Sequence, residues 1–174
     1  MSYVNTALRA ATATALLSSL ACLGTGTANA DANDTLAAAL SKGYTSSNCK
    51  PQQTSEVQGS FPSATVIAVL QCGQNSDSSG PAMARYFLFG NSADTASSFT
   101  KLISSDTLAN CGTASSPTTW HQGSNSDSAG QVACGTDSGN AEVLWTVDAK
   151  NVLAFIRASN GDTASLYKWW QANG

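Results

Sequence analysis

The chain has few charged side chains. Only 11% of its 174 residues are charged, and 8 Lys and Arg against 11 Asp and Glu give a formal net charge of −3. The basic residues are scattered along the sequence. They form neither the clusters that neutralise nucleic-acid phosphates nor a polybasic patch for anionic lipid headgroups. We therefore expect no nucleic-acid partner and no binding to a membrane surface by charge.

Motifs of metal binding and catalysis are also missing. The sequence has no Cys-x-x-Cys pair and a single histidine, so we predict no metal and no cofactor. No serine lies in a Gly-x-Ser-x-Gly turn, and the Gly-rich loop, His-Arg-Asp and Asp-Phe-Gly signatures of kinases are absent. The sequence thus predicts a protein that is not an enzyme.

No apolar run reaches the roughly 20 residues that a transmembrane helix needs, but the N-terminus has the pattern of an export signal. Arg9 precedes an apolar stretch over 10–23, and Ala28-Asn29-Ala30 fits the small-x-small pattern of signal peptidase sites. We predict a signal peptide over residues 1–30 and a single secreted domain over residues 31–174.

Cys22 leads to a second interpretation of the same segment, because bacterial lipoproteins are cleaved before a cysteine that is then acylated. The lipoprotein signal has a large aliphatic residue three positions before that cysteine, and here the position holds Ser19. We favour cleavage after Ala30 and keep lipidation of Cys22 as the alternative.

Four further cysteines form two pairs with equal spacing. Cys49 and Cys72 are 23 positions apart, as are Cys111 and Cys134. An even number of cysteines in an exported chain indicates disulfides, and four cysteines allow three connectivities. We favour Cys49 with Cys72 and Cys111 with Cys134, because an Asn precedes the first cysteine of each pair and a Gly follows the second.

The apolar pattern predicts an α+β fold. The predicted elements, in chain order, are a helix at 36–42, strands at 64–72 and 82–89, a helix at 95–105, a strand at 131–134, strands at 142–147 and 152–157, and a helix from 162 onward. We expect an antiparallel β-sheet with helices packed on one face. Internal duplication would explain the repeated order and the cysteine spacing, and chance similarity of Ser-rich turns is the alternative.

The tryptophans are the most suggestive residues for function. Trp120 and His121 lie in a predicted polar loop, and Trp169 and Trp170 lie on the last predicted helix. Neighbouring helical residues point about 100° apart, so we expect one of the two terminal tryptophans to be partly exposed. Exposed Trp is typical of recognition surfaces, and these four residues are the predicted ligand-binding site.

Two alternative chemistries were weighed against that site. His121 is the only residue that a Ser-His-Asp hydrolase could use, although no nucleophile motif accompanies it. The string from Asn75 to Gly80 resembles the start of a calcium loop, but the twelfth position is Tyr86 rather than Glu. Asx-turns in a surface loop explain the same residues.

The C-terminal segments 143–148, 151–153 and 162–174, with Ala133-Cys134-Gly135, carry a family resemblance. They resemble an actinobacterial, chiefly mycobacterial, family of secreted proteins of unknown function. That family is similar to the extracytoplasmic sensor-like domain of some bacterial membrane serine/threonine protein kinases. The resemblance implies a binding or sensor role outside the cytoplasm and supplies no ligand.

Together these observations predict a secreted, non-enzymatic binding or sensor-like domain of the cell envelope or extracellular space. Its partner would be a small molecule, a glycan or an envelope protein. A secreted hydrolase using His121 and a factor that only contacts other proteins are the alternatives.

Overall fold

The structure, a computed structural model, describes residues 25–174. Cys22 and residues 1–24 of the predicted signal lie outside the described residues. The helices and strands, in chain order, are α1 (Thr25–Ala37), β1 (Cys49–Gln52), α2 (Ser55–Gln58), β2 (Val66–Cys72), β3 (Met83–Phe89), α3 (Ser92–Ile103), β4 (Thr107–Ala109), β5 (Thr118–His121), β6 (Ser128–Asp137), β7 (Asn140–Val147), β8 (Val152–Arg157) and α4 (Thr163–Asn173).

The strands form one antiparallel sheet of eight strands in the order β1-β2-β3-β8-β7-β6-β4, and β5 also pairs with β6. The predicted hairpin between β7 and β8 is present. A short 3₁₀ turn over Asp148–Lys150 connects the two strands, and Asn151 closes it with a left-handed φ of 53°. Asn tolerates this conformation better than most residues, so the sequence and the turn agree.

Helices cover both faces of the sheet. All five residues from Val152 to Ile156 in β8 are buried, and alternate residues belong to two separate cores. Side chains of α1 and α4 join the first core, and those of α2 and α3 join the second. The α+β class and the antiparallel sheet are confirmed, but the helices do not share one face as predicted. A strand with a continuous apolar run needs cover on both sides.

The first helix lies earlier in the chain than the predicted helix at 36–42. The backbone N–H groups that would continue α1 through this range instead form hydrogen bonds with residues distant in sequence. The N–H of Ser41 donates to the hydroxyl of Tyr86 at 3.0 Å, and the N–H of Lys42 donates to the carbonyl oxygen of Asn173 at 2.8 Å. These contacts could not be inferred from the local sequence.

Helix α1 also spans the predicted cleavage point after Ala30. Among its described side chains, the buried ones are Ala32 and Leu36, and both follow that point. Cleavage there would therefore keep the core contacts of Ala32 and Leu36.

Both disulfides pair as favoured, Cys49 with Cys72 and Cys111 with Cys134. Such bonds indicate folding outside the reducing cytosol. The strand of Cys72 is followed by one strand and α3, whereas the strand of Cys134 is followed by two strands and α4. Since α3 and α4 also lie on opposite faces, the topology gives no support to an internal duplication.

Within residues 25–174, no helix combines the length and the apolar character needed to cross a bilayer.

Candidate functional site

A cleft of about 420 Å³ lies between β5 and α4. We call it the aromatic cleft. Its lining residues are Thr119, Trp120, His121, Gln122, Gly123, Tyr167, Trp170, Gln171 and Gly174. Three of the predicted site residues, Trp120, His121 and Trp170, thus come together from two distant parts of the chain, and Trp169 lies elsewhere.

Strand β5 fixes one wall of the aromatic cleft. The sequence suggested a loop here, but residues 118–121 pair with β6, and Trp120 lies opposite Gly130. A Cβ atom at Gly130 would overlap the carbonyl oxygen of Thr146, so glycine permits a close approach of the two backbones. The indole N–H of Trp120 donates to that same carbonyl oxygen at 2.8 Å. This bond holds the half-buried Trp120 ring in place.

His121 is exposed at the rim of the aromatic cleft. A register shift separates it from Trp120 in the pairing with β6. Its Nδ1 lies 3.1 Å from the carbonyl oxygen of Asp127. In the described part of the chain, no serine hydroxyl and no carboxylate is hydrogen-bonded to this imidazole. His121 is therefore held at the rim as a polar side chain, and these contacts do not match those of the base in a Ser-His-Asp triad.

Helix α4 supplies the opposite wall. Its N-terminus is capped by Asp162, whose side chain accepts the N–H of Ser165 at 3.0 Å, as the sequence pattern predicts. Trp169 and Trp170 are 9% and 5% exposed, so neither shows the partial exposure that we expected. Trp170 is a buried wall of the cleft rather than an open stacking surface.

Trp170 is the centre of an aromatic cluster. Its ring centroid lies 5.6 Å from Trp120 at an interplanar angle of 79° and 5.6 Å from Tyr167 at 20°. It also lies 5.7 Å from Trp145, which in turn contacts Tyr86 at 6.0 Å. Edge-to-face and stacked pairs at these distances are favourable, so the cleft wall is continuous with the protein core and rigid.

The indole nitrogen of Trp170 is a buried donor without a partner among the described residues. It lies beside Gly174, where a Cβ atom would come within 2.5 Å of it. Most buried donors in folded proteins are hydrogen-bonded, and an unsatisfied one costs about 1–3 kcal/mol. This nitrogen has almost no solvent-accessible surface and is therefore not open to the cleft in this structure.

No Asp, Glu, Lys or Arg side chain lines the aromatic cleft. Hydroxyl groups come from Thr119 and Tyr167, and carboxamides come from Gln122 and Gln171. Aromatic rings beside hydroxyls and amides suit a neutral ligand that has both an apolar face and hydrogen-bonding oxygens. Within residues 25–174, no group of three His, Cys, Asp or Glu side chains is arranged to hold a metal ion.

Trp169 has a structural role away from the aromatic cleft. Its indole N–H donates to Oδ2 of Asp77 at 3.1 Å. The other Asp77 oxygen accepts from the N–H and hydroxyl of Ser79, and Oδ1 of Asn75 accepts the N–H of Asp77 at 2.9 Å. The hydrogen bonds from Ser79, followed by the one from Trp169, lower the pKa of Asp77. The turn that resembles the start of a calcium loop is thus a pair of Asx-turns that anchors α4, as favoured from the sequence.

Sequence reasoning missed Tyr167, Gln122 and Gln171 at this site. Tyr167 precedes Trp170 by three positions, a spacing that places both on one helical face, so the pattern itself held the signal. The two glutamines carry no such signal, because their place in the lining depends on how β5 and α4 meet.

Comparison with protein-family models, curated proteins and solved structures found no match to this chain. The family resemblance of the C-terminal segments therefore stays a prediction.

Proposed function

We propose that this protein is an exported, non-enzymatic binding domain of the cell envelope or extracellular space that holds a neutral glycan-like ligand in the aromatic cleft. The signal-like segment over residues 1–30 and the two disulfides support export. The resemblance to extracytoplasmic sensor-like domains supports a role in binding.

The convergence of β5 and α4 carries this proposal. Two segments almost 50 positions apart bring Trp120, Tyr167 and Trp170 to one concave surface, with carboxamides and hydroxyls around them. Sugars present apolar C–H faces and rings of hydroxyls, which match aromatic walls and neutral polar groups.

The alternative of a factor that contacts only proteins has less support. A contiguous exposed apolar patch would favour such a factor. Among the described residues, the exposed large apolar side chains are Ile67 and Leu108. They lie on β2 and β4, which are separated by four strands in the sheet. The hydrolase alternative would need a nucleophile hydrogen-bonded to the His121 imidazole. The Nδ1 atom of that imidazole instead lies beside the backbone carbonyl oxygen of Asp127.

The test is titration of the isotope-labelled protein with a panel of neutral oligosaccharides of glucose, galactose, mannose and arabinose, followed by NMR. The indole N–H signals of Trp120 and Trp170 should shift saturably, while that of Trp169 stays fixed because it is bonded to Asp77 outside the cleft. Gln171→Ala removes one exposed amide from the lining and should weaken binding about threefold to tenfold.

Lys168→Ala is the matched control, because Lys168 is an exposed residue of the same helix outside the lining. It should bind like the native protein. If no oligosaccharide of the panel binds at millimolar concentration, or if only the Trp169 signal moves, the proposal is wrong.

A further inference from the structure

A second cavity, of about 150 Å³, lies on the opposite face of the sheet from Trp170. We call it the charged cavity. It is bounded by α2, the C-terminal end of α3 and the strands β3, β6, β7 and β8. Its lining residues are Val57, Ser60, Phe61, Arg85, Phe87, Leu102, Ser105, Asp106, Asp137, Glu142, Phe155 and Arg157.

Arg157 is ion-paired with two carboxylates inside this cavity. Its Nη2 lies 2.6 Å from Oδ2 of Asp137 and 2.6 Å from Oε2 of Glu142, and its Nε donates to Glu142 at 2.8 Å. The guanidinium also lies 5.7 Å from the ring centroid of Phe155. These three partners satisfy Arg157, so it has little capacity left for a ligand.

Two other charges of the cavity lack such partners. Arg85 donates from Nε to the side-chain oxygen of Gln71, but within the described residues its guanidinium forms no ion pair. Oδ2 of Asp106 is buried and has no hydrogen-bond partner among the described residues. Buried polar groups without partners are costly, and the two residues do not pair with each other.

The pKa shifts agree with this geometry. Burial, followed by repulsion from Arg157, lowers the pKa of Arg85, although the Glu56 carboxylate opposes the change. Burial, followed by repulsion from Asp137, raises the pKa of Asp106. In both residues the charged form lacks sufficient compensation from the protein itself.

We propose that the charged cavity is a second ligand site, for a small zwitterion of the amino acid or ω-amino acid class, whose carboxylate pairs with Arg85 and whose ammonium group pairs with Asp106. The lining has charges of both signs, so a zwitterion can pair with Arg85 and Asp106 together, whereas a simple anion or a simple cation can pair with only one of them. The rings of Phe61, Phe87 and Phe155 face the hydrocarbon part of such a ligand.

The size of the charged cavity sets the size of the ligand. A site for one water needs roughly 10–15 Å³ of cavity volume, so about 150 Å³ accommodates a small solute and is too small for a folded peptide segment. Because Arg85 and Asp106 are not in direct contact, the ligand must span the gap between them. A series of zwitterions of increasing length therefore measures that gap.

The test is isothermal titration calorimetry of the full exported chain with glycine, β-alanine, 4-aminobutyrate and 6-aminohexanoate. Butyrate and butylamine, which each lack one charge, are the matched controls. One length of the series should bind best, and both controls should bind about tenfold more weakly or worse. Arg85→Gln and Asp106→Asn should each weaken binding of the best zwitterion about tenfold. Asp106→Asn should also reduce the ratio of zwitterion affinity to butyrate affinity.

Two further variants separate this proposal from loss of fold and from the aromatic cleft. Asp34→Asn changes an exposed carboxylate of α1, outside the lining and on the other face of the sheet, and should leave zwitterion binding intact, as should Gln171→Ala. Thermal unfolding of each variant shows whether it is folded. Absence of binding by the whole series at millimolar concentration, or equal binding of butyrate and the best zwitterion, would overturn the proposal.

Discussion

The two disulfides provide a matched pair of perturbations, because each joins cysteines 23 positions apart. We predict that Cys49→Ala with Cys72→Ala, and Cys111→Ala with Cys134→Ala, destabilise the protein by similar amounts. The chain-entropy model depends on loop length, and for loops of this length it gives roughly 3 kcal/mol for each bond. All four cysteines are buried, so the small cavities that alanine leaves are similar too.

The two bonds differ in their relation to the aromatic cleft. Cys49–Cys72 joins the edge strand β1 to β2, whose backbones are already paired in register. Cys111–Cys134 tethers the segment between β4 and β5, where Gly112 lies against the ring of Tyr167. Loss of the second bond should therefore loosen Tyr167 and β5, and loss of the first should leave them unchanged.

Urea unfolding gives the free energies, and the indole N–H signals of Trp120 and Trp170 report on the cleft. We expect both double variants to lose roughly 3 kcal/mol. Only the variant without Cys111–Cys134 should shift the cleft signals and bind oligosaccharide more weakly. Destabilisations that differ by more than about 2 kcal/mol would show that loop entropy is not the main term. Equal disturbance of the cleft by both variants would refute the assigned role of the second bond.

Two other predictions concern buried polar groups. Tyr86→Phe removes the hydroxyl that accepts the N–H of Ser41 and donates to its side chain, and should cost about 1–3 kcal/mol in urea unfolding; an unchanged midpoint would contradict this. Burial raises the pKa of Glu142 to about 7 from 4.5, although Arg157 opposes the rise. The folded state thus holds the proton of Glu142 more tightly than the unfolded chain does. The resulting contribution to the free energy of unfolding is fully present below about pH 4.5 and is lost as the pH rises through about 7. The loss is at most about 3 kcal/mol. The free energy of unfolding should depend less on pH over this range in Glu142→Gln than in the native protein. An equal pH dependence in the two proteins would contradict a raised pKa at Glu142.

The sequence by itself determined the features that local chemistry controls. The β-branched runs became strands, Asp162 became the cap of α4, and the segment ending at Asn151 became a hairpin turn. The disulfide partners were also inferred correctly from spacing and flanking residues. Each of these signals lies within a few residues of the feature that it specifies, or in a repeated pattern that the chain displays directly.

Of the four residues that the sequence marked as a site, the fold brings three to the aromatic cleft and places the fourth elsewhere. The chemical type of Trp120, His121 and Trp170 marked them as candidates, and the fold brings them together. The sequence could not show that Trp169 turns away to bond Asp77, because that contact joins positions 92 apart. It also could not show that residues 118–121 form a strand, since a four-residue edge strand depends on its partner.

Only the tertiary structure decided which groups remain without partners. Nothing in the local sequence of Arg85, which has no ionic partner among the described residues, distinguishes it from the doubly paired Arg157, and the indole of Trp170 has the same chemistry as that of Trp169. Whether a buried polar atom finds a partner depends on strand register and on which helix covers which face. Those are properties of packing between segments far apart in the chain, and no short stretch of residues encodes them.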